Sequence, residues 1–360
     1  MNYYIHVPFC ASKCGYCVFY SHCAPDEALL DRYLERLFAH LEKAREFAQS
    51  IYIGGGTPTL LDPYRLELFL ERVCSLIAHD DTTEISIESN PETLTAEKVA
   101  VLRRCVTRIS TGVQSFFPEV RQILGRKCGQ VQLERALDLV AEADFPHWNC
   151  DLIYAVPGRG CDEWNMEFDR LQRYPVDHVS CYNLTPEEGA VLSGSLVPCS
   201  DLAPELENIT AQRLKESGIF QYEVSNYARY GGECRHNQNV WKGQLLKGFG
   251  PSAAGFDGVD RMTEPADLEQ WLAGAAPEVD RISREERLNE IFTVNLRTVS
   301  GWRRPDWEQV PRCDCWEKRI ALAEQVGKSC PGCFEIGETQ IKLTRKGLSF
   351  WDTIAEELLV

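Results

Sequence analysis

The feature that most restricts how this chain can fold is an alternation. Short apolar runs at residues 3–6, 51–53, 84–88, 108–113, 148–154 and 178–182 are separated by helical patterns at 27–48, 63–78, 95–105, 130–143 and 163–173. In the first helical pattern Leu30, Leu34, Leu37 and Leu41 recur at helical spacing, so one face is apolar and the other polar. Strand–helix units repeated in this way predict an α/β architecture built on a parallel sheet. Right-handed crossovers curl such a sheet into a full or partial barrel. In barrels of this kind the chemistry sits at the C-terminal ends of the strands, so the residues just after each strand are the ones to inspect.

Beyond Pro204 one more helix is expected, then an aromatic- and glycine-rich stretch over 222–256. From about Ser283 the character changes. Helices at 284–296 and 316–326 precede a hairpin, 335–336 with 340–343, and a last helix, a pattern that suggests a small winged-helix-like α+β domain. The expected division is a barrel domain over 1–232, a connecting segment over 233–280 and a C-terminal domain over 281–360. Composition is that of a globular protein, with 44% apolar and 26% charged residues in 360. A formal charge of −16 argues against a nucleic-acid binder, since phosphate contacts need a basic face. Lys342, Arg345 and Lys346 are too few to supply one. No apolar window is long enough to span a membrane. The opening MNYYIHVPFC lacks a basic region followed by an apolar stretch, so a cytoplasmic location is expected.

Sixteen cysteines are many for a reducing compartment, and without an export signal a disulfide framework is a poor explanation. Cys74, Cys105, Cys150 and Cys181 lie in apolar runs and read as small core residues. Spacing singles out Cys10-x3-Cys14-x2-Cys17, three thiols on one loop after the first strand. Thiolates suit iron–sulfur clusters or zinc, and a closed zinc site needs a fourth ligand that this loop does not supply. Three ligands leave one iron of a 4Fe-4S cube open. Cys313-x-Cys315 and Cys330-x2-Cys333 invite a second, four-thiolate zinc reading. A helix over 316–326 would span about 16 Å and hold the two pairs apart, which argues against it.

Together, Tyr4-Ile5-His6-Val7-Pro8-Phe9-Cys10, Tyr16-Cys17 and Gly54-Gly55-Gly56-Thr57-Pro58-Thr59 resemble the radical S-adenosylmethionine superfamily, and within it the anaerobic coproporphyrinogen III oxidase family. Gly112-Val113-Gln114-Ser115-Phe116, Leu124-Gly125-Arg126, Asp151-Leu152-Ile153-Tyr154 and Cys234-Arg235-His236-Asn237 extend the match along almost the whole chain. The resemblance implies a partial (β/α)6 barrel. It implies a 4Fe-4S cluster on Cys10, Cys14 and Cys17, with S-adenosylmethionine chelating the open iron. It places Tyr4, Tyr16, Gly55, Gly56, Thr57, Glu88, Gln114, Arg126 and Asp151 at S-adenosylmethionine sites. The residue types fit those roles. Glycines let backbone approach a ligand closely, Tyr16 offers a ring to adenine, Glu88 a carboxylate to ribose hydroxyls, and Arg126 a fork for a carboxylate.

The family has two branches. The oxidases carry a longer N-terminal region and a fourth cysteine two places after the third ligand. Here three residues precede Tyr4, and Phe19 occupies that position. Both features resemble the haem-chaperone branch, which binds haem and hands it to haem-accepting proteins. That branch has a His-Asn-x-x-Tyr-Trp motif linked to haem, and this chain reads His236-Asn237-Gln238-Asn239-Val240-Trp241. His236 is therefore the expected haem ligand, haem or another tetrapyrrole the expected cargo, and an electron donor for the cluster an expected partner. The rival expectations are oxidative decarboxylation of coproporphyrinogen III, another tetrapyrrole reaction on the same fold, or a structural zinc protein without iron.

Overall fold

The computed structural model describes residues 1–185, 188–192 and 197–359. The alternation becomes β1 (Asn2–Val7), a two-residue pair β2 (Phe9–Cys10) and β3 (His22–Cys23), α1 (Glu27–Leu41), β4 (Ser50–Gly55), α2 (Pro63–Leu76), β5 (Glu84–Ser89), α3 (Ala96–Cys105), β6 (Arg108–Gln114), α4 (Pro118–Ile123), α5 (Gln130–Ala143), β7 (His147–Tyr154), α6 (Cys161–Leu171) and β8 (His178–Asn183). Helix starts follow local chemistry. Asp26, Asp62 and Thr95 each accept from a backbone N–H three residues on, the N-cap pattern. The first helix stops at Leu41 rather than 48. Beyond it, Lys43 N–H bonds His40 O and Ala44 N–H bonds Leu41 O, the tighter turn with which helices end, and the chain turns toward β4.

Strands β1, β4, β5, β6, β7 and β8 lie side by side in sequence order, all parallel. This is the expected six-strand partial barrel. The large core holds strand residues such as Ile5, Ile53, Ile87 and Ile109 and helix residues such as Leu37, Phe69 and Leu137, all fully buried.

After α7 (Ala203–Glu216), β9 (Phe220–Glu223) and β10 (Asn226–Ala228) add antiparallel strands beside β8. The helix α8 (Arg235–Trp241) follows, then β11 (Leu246–Phe249), β12 (Ala254–Phe256), β13 (Arg261–Thr263), α9 (Leu268–Leu272) and β14 (Glu278–Asp280). The expectation that 233–280 is a connector needs correcting. Strand β11 pairs parallel with β1, from Asn2↔Leu246 to Ile5↔Phe249, and β12–β14 extend the same sheet to twelve strands. An otherwise open edge of β1 is thereby covered.

The C-terminal part holds α10 (Arg284–Asn295), β15 (Trp302–Arg303), α11 (Arg304–Trp307), α12 (Trp316–Ser329), the hairpin β16 (Phe334–Ile336) and β17 (Gln340–Leu343), α13 (Arg345–Ser349) and α14 (Trp351–Leu359). Its three-stranded sheet runs β15-β17-β16, a wing on a helical body. It has its own core, built on Phe292, Trp302, Trp307, Trp316, Ile341 and Ile354. Cys315 caps the start of α12 and Cys330 its end. At 1.5 Å per residue, 14 residues hold those two cysteines about 21 Å apart, so the helix separates the four thiols of the zinc reading. Arg297 ties α8 to α14. Its guanidinium lies over Trp241 at 4.3 Å and over Trp351 at 4.7 Å, and it donates to Val224 O.

Candidate active site and barrel cavity

The loop carrying the three cysteines starts where β1 ends. It is tied down from several sides. Gly56 N–H donates to Val7 O at 2.8 Å and Thr57 N–H to Phe9 O at 2.7 Å. Gly15 N–H donates to Leu124 O at 3.1 Å, and Leu192 N–H to Gly15 O at 2.8 Å. Two motif segments distant in sequence therefore clamp one loop. Cys10, Cys14 and Cys17 all face a cavity of ≈ 450 Å³ that runs down the barrel. Thr57 Oγ1 donates to Cys10 Sγ at 3.7 Å, and Arg126 Nη1 to Cys14 Sγ at 3.4 Å. Burial raises the Cys10 and Cys17 thiols above their ordinary pKa, so a metal held there must displace their protons.

Eight of the nine residues expected around S-adenosylmethionine line that same cavity: Tyr16, Gly55, Gly56, Thr57, Glu88, Gln114, Arg126 and Asp151. Tyr4 stands behind its wall. The Tyr4 hydroxyl bonds His6 Nδ1 at 3.0 Å and its ring stacks on Tyr52 at 6.2 Å. His6 holds the loop from the strand side through a 3.1 Å contact to Tyr20 O.

The glycines serve their own chain as much as a ligand. A Cβ on Gly56 would lie 2.6 Å from Phe9 O, and one on Gly54 2.7 Å from the Glu88 carboxyl. Gly55, at φ +104, would meet the His6 ring at 2.5 Å. Such distances leave no room for a side chain, so the triple glycine is set by close packing of β4 on the cluster loop and on Glu88.

Two carboxyls face the cavity in different settings. Glu88 accepts from Tyr52 O–H at 2.9 Å and Gly55 N–H at 3.0 Å. Burial dominates, and its pKa is pushed up to about 7. Asp151 is also raised by burial, against hydrogen bonds from Asn149 and Ser110 at 2.8 and 3.1 Å. Arg126 bridges the rim. Its Nη2 donates to Asn90 Oδ1 at 2.8 Å and Gly112 O at 2.6 Å, and Asn90 donates on to Thr57 Oγ1 at 2.7 Å. Gln114 has φ +64, and Ser115 N–H bonds Val113 O across it at 2.8 Å. This γ-turn is rare outside functional sites. Glu167 fixes it from below by accepting from Ser115 O–H and, at 2.7 Å, from Phe116 N–H. Tyr52, Asn90 and Asn149 were missed by sequence reasoning. Asn90 was findable, since it directly follows a strand.

The opposite end of the barrel is shut. Glu84 opens β5 and Arg108 opens β6, and they pair at 3.1 Å with both side chains buried. Glu84 also accepts the first N–H groups of α8, from Arg235 at 3.2 Å and His236 at 3.0 Å, where a helix favours a negative charge. Arg108 donates to the carbonyls of Gly232 and Glu233. Burial opposes the charge on Glu84, yet Arg108 and the two N–H groups leave it below its usual pKa.

His236, the expected haem ligand, belongs to this floor. Its Nδ1 contacts Ser50 Oγ at 2.8 Å, its ring packs on Tyr52 at 5.1 Å, and it is buried. Burial pushes its pKa down to about 4. It does not line the cavity with the cysteines. The rest of the motif is equally committed: Asn237 and Trp241 donate to the buried Glu223 carboxyl at 3.3 and 2.8 Å. In this structure the histidine packs into the floor that α8 makes.

Comparison with known proteins agrees with this geometry. Residues 4–171 match the Radical SAM superfamily model. The chain is 37% identical over 289 residues to the heme chaperone HemW of Mycobacterium tuberculosis, covering 76% of this chain and 74% of the relative. This chain belongs to the HemW family of radical SAM proteins. The HemW of Escherichia coli is 33% identical over 71% of this chain and 70% of its own length. That of Bacillus subtilis is 27% identical over 92% of this chain and 88% of its own. Among solved structures, the E. coli coproporphyrinogen III oxidase HemN superposes with a TM-score of 0.84 at 21% identity, over 99% of this chain and 89% of its own, a likeness of fold. As a radical SAM protein of this family the chain takes a 4Fe-4S cluster and S-adenosylmethionine, and the three thiols on one cavity fit the cluster.

Proposed function

We infer that this chain is a haem chaperone, binding haem and delivering it to haem-accepting proteins in the cytoplasm. The observation that carries the reading is the 37% identity along 74% of a protein named heme chaperone HemW. Phe19 supports it. Where the oxidases place a fourth cysteine, this chain puts an exposed aromatic ring at the cavity rim.

Cys10, Cys14 and Cys17 would hold the cluster. Tyr16, Gly55, Gly56, Thr57, Glu88, Gln114, Arg126 and Asp151 would surround S-adenosylmethionine. A 4Fe-4S cluster with one open iron would, when bound, be chelated by S-adenosylmethionine and would supply an electron for C–S cleavage, chemistry that belongs to the cofactors. The protein's share is positional. The clamped loop fixes three sulfurs, Arg126 and Thr57 hold two of them by hydrogen bonds, and Glu88 presents a carboxyl to hydroxyl groups. An electron donor is a required partner. No helix among the described residues is long and apolar enough to cross a membrane.

The test is an anaerobic haem titration of the cluster-reconstituted protein beside His236→Gln, which keeps a hydrogen bond to Ser50 but cannot ligate as imidazole. Saturable binding near one equivalent in both proteins, with the same Soret band, is expected. A weakened band in the variant would return His236 to the haem site. Absence of saturable binding, with vinyl product formed from coproporphyrinogen III, would replace the chaperone reading by the oxidase.

A further inference from the structure

Cys23 lies six residues beyond the third thiol of the cluster loop, and no cluster or zinc pattern absorbs it. The fold nevertheless returns it to the loop. Strands β2 and β3 pair parallel, with Phe9 opposite His22 and Cys10 opposite Cys23. Bonds from His22 N–H to Pro8 O at 2.6 Å and from Ala24 N–H to Cys10 O at 3.0 Å fix this register. Successive residues of a strand face opposite sides. Phe9 and His22 share one side, with their rings 6.4 Å apart and Phe9 packed on Tyr33. Cys10 and Cys23 therefore share the other, the side on which Cys10 lines the cavity. Registered neighbours on paired strands are about 4.8 Å apart, inside the 4.4–6.8 Å range of Cα separations that a disulfide spans. Cys23 is exposed and ends its strand, so small molecules can reach it.

We propose that Cys10 and Cys23 form a reversible disulfide in the cluster-free chain, a modification site that competes with cluster assembly. The step is thiol–disulfide exchange with a low-molecular-weight disulfide. Cys23 attacks one sulfur of that molecule and releases its first thiol. Cys10 then attacks the mixed disulfide at Cys23 and releases the second. Two protein thiols are oxidised and one small disulfide is reduced to two thiols. A Cys10–Cys23 bond removes one of three iron ligands, so the two states of Cys10 exclude each other. The inference rests on the assignment of Cys10 to the cluster.

The experiment uses full-length cluster-free protein incubated anaerobically with oxidised glutathione, followed by blocking of remaining thiols and tryptic mapping by mass spectrometry. Cleavage after Lys13 puts Cys10 on one peptide and Cys14, Cys17 and Cys23 on the next. Fragment ions placing the link at Cys23, absent in Cys23→Ser, are expected. The oxidised wild-type chain should show several-fold lower iron uptake on reconstitution, restored by dithiothreitol, while Cys23→Ser given the same treatment should take up iron like the untreated chain. A link from Cys10 to Cys14 or Cys17 in both proteins, no link, or an equal loss of uptake in Cys23→Ser overturns the proposal. The peptide map does not depend on iron. A chain that takes up no iron even when reduced would count against the cluster assignment, while the map still decides the disulfide.

Discussion

Glu88 shows how much one side chain's setting decides. Its carboxyl sits at the end of a central strand, fed by Tyr52 O–H and Gly55 N–H, and burial raises its pKa from 4.5 to about 7. The folded chain thus holds this proton more tightly than the unfolded one. The contribution to stability is whole below pH 4.5 and is lost as pH rises through about 7. Glu88→Gln removes that titration. Its Tm relative to wild type should rise between pH 5 and pH 8, and a constant difference across that range would show that Glu88 does not titrate there. S-adenosylmethionine binding to wild type should strengthen over the same range, because the ionised carboxyl is the better acceptor for ribose hydroxyls. A fluorescence or calorimetric titration reads this directly, and the pH dependence should vanish in the variant. Eleven cavity residues were legible through the family resemblance of their motifs. Tyr52 was not, since within a strand nothing local says which face a tyrosine takes.

At the scale of elements, the cluster loop depends on β4 more than on its own sequence. A Cβ at Gly56 meets backbone atoms of Phe9 and Val7 at 2.6–2.8 Å, and backbone cannot swing aside as a side chain can. Gly56→Ala should therefore cost about 1–3 kcal/mol through overpacking and displace the loop, seen as a lower Tm and reduced iron uptake on reconstitution. Gly129→Ala is the matched control, since nothing lies within 4 Å of its Cβ position. Equal behaviour of the two variants would refute the packing account. The six barrel strands and helices α1–α3, α5 and α6 were readable from periodicity, α5 matching the expected 130–143 span, while the short β2, β3 and α4 were not. Nor were the short strands β9–β14. With three or four residues each, they carry too little pattern to register, and their pairing with β1 and β8 is decided by tertiary contact.

Across the whole molecule, the HNxxxW segment took on a different meaning. Its sequence suggested a ligand through its resemblance to a family motif linked to haem. In the fold they are the keystones of the barrel floor, and Trp241 carries the contact to the C-terminal domain through Arg297 and Trp351. Each cation–π contact of this kind contributes about 0.5–2 kcal/mol. Arg297→Ala should lower Tm and speed hydrogen exchange in α8 and α14 while leaving exchange in β4–β7 unchanged. Uniform exchange behaviour across the chain would show that the floor and the C-terminal domain are not coupled through this residue.

The shut floor also sets an order of events. Because Glu84, Arg108 and α8 close one end of the barrel, the cavity is a well with its opening beside the cluster loop. A molecule seated deeper than the cofactor must arrive before it and depart after it. Traffic through this protein would then be a stack rather than a queue, with a cofactor bound at the cluster loop as the stopper.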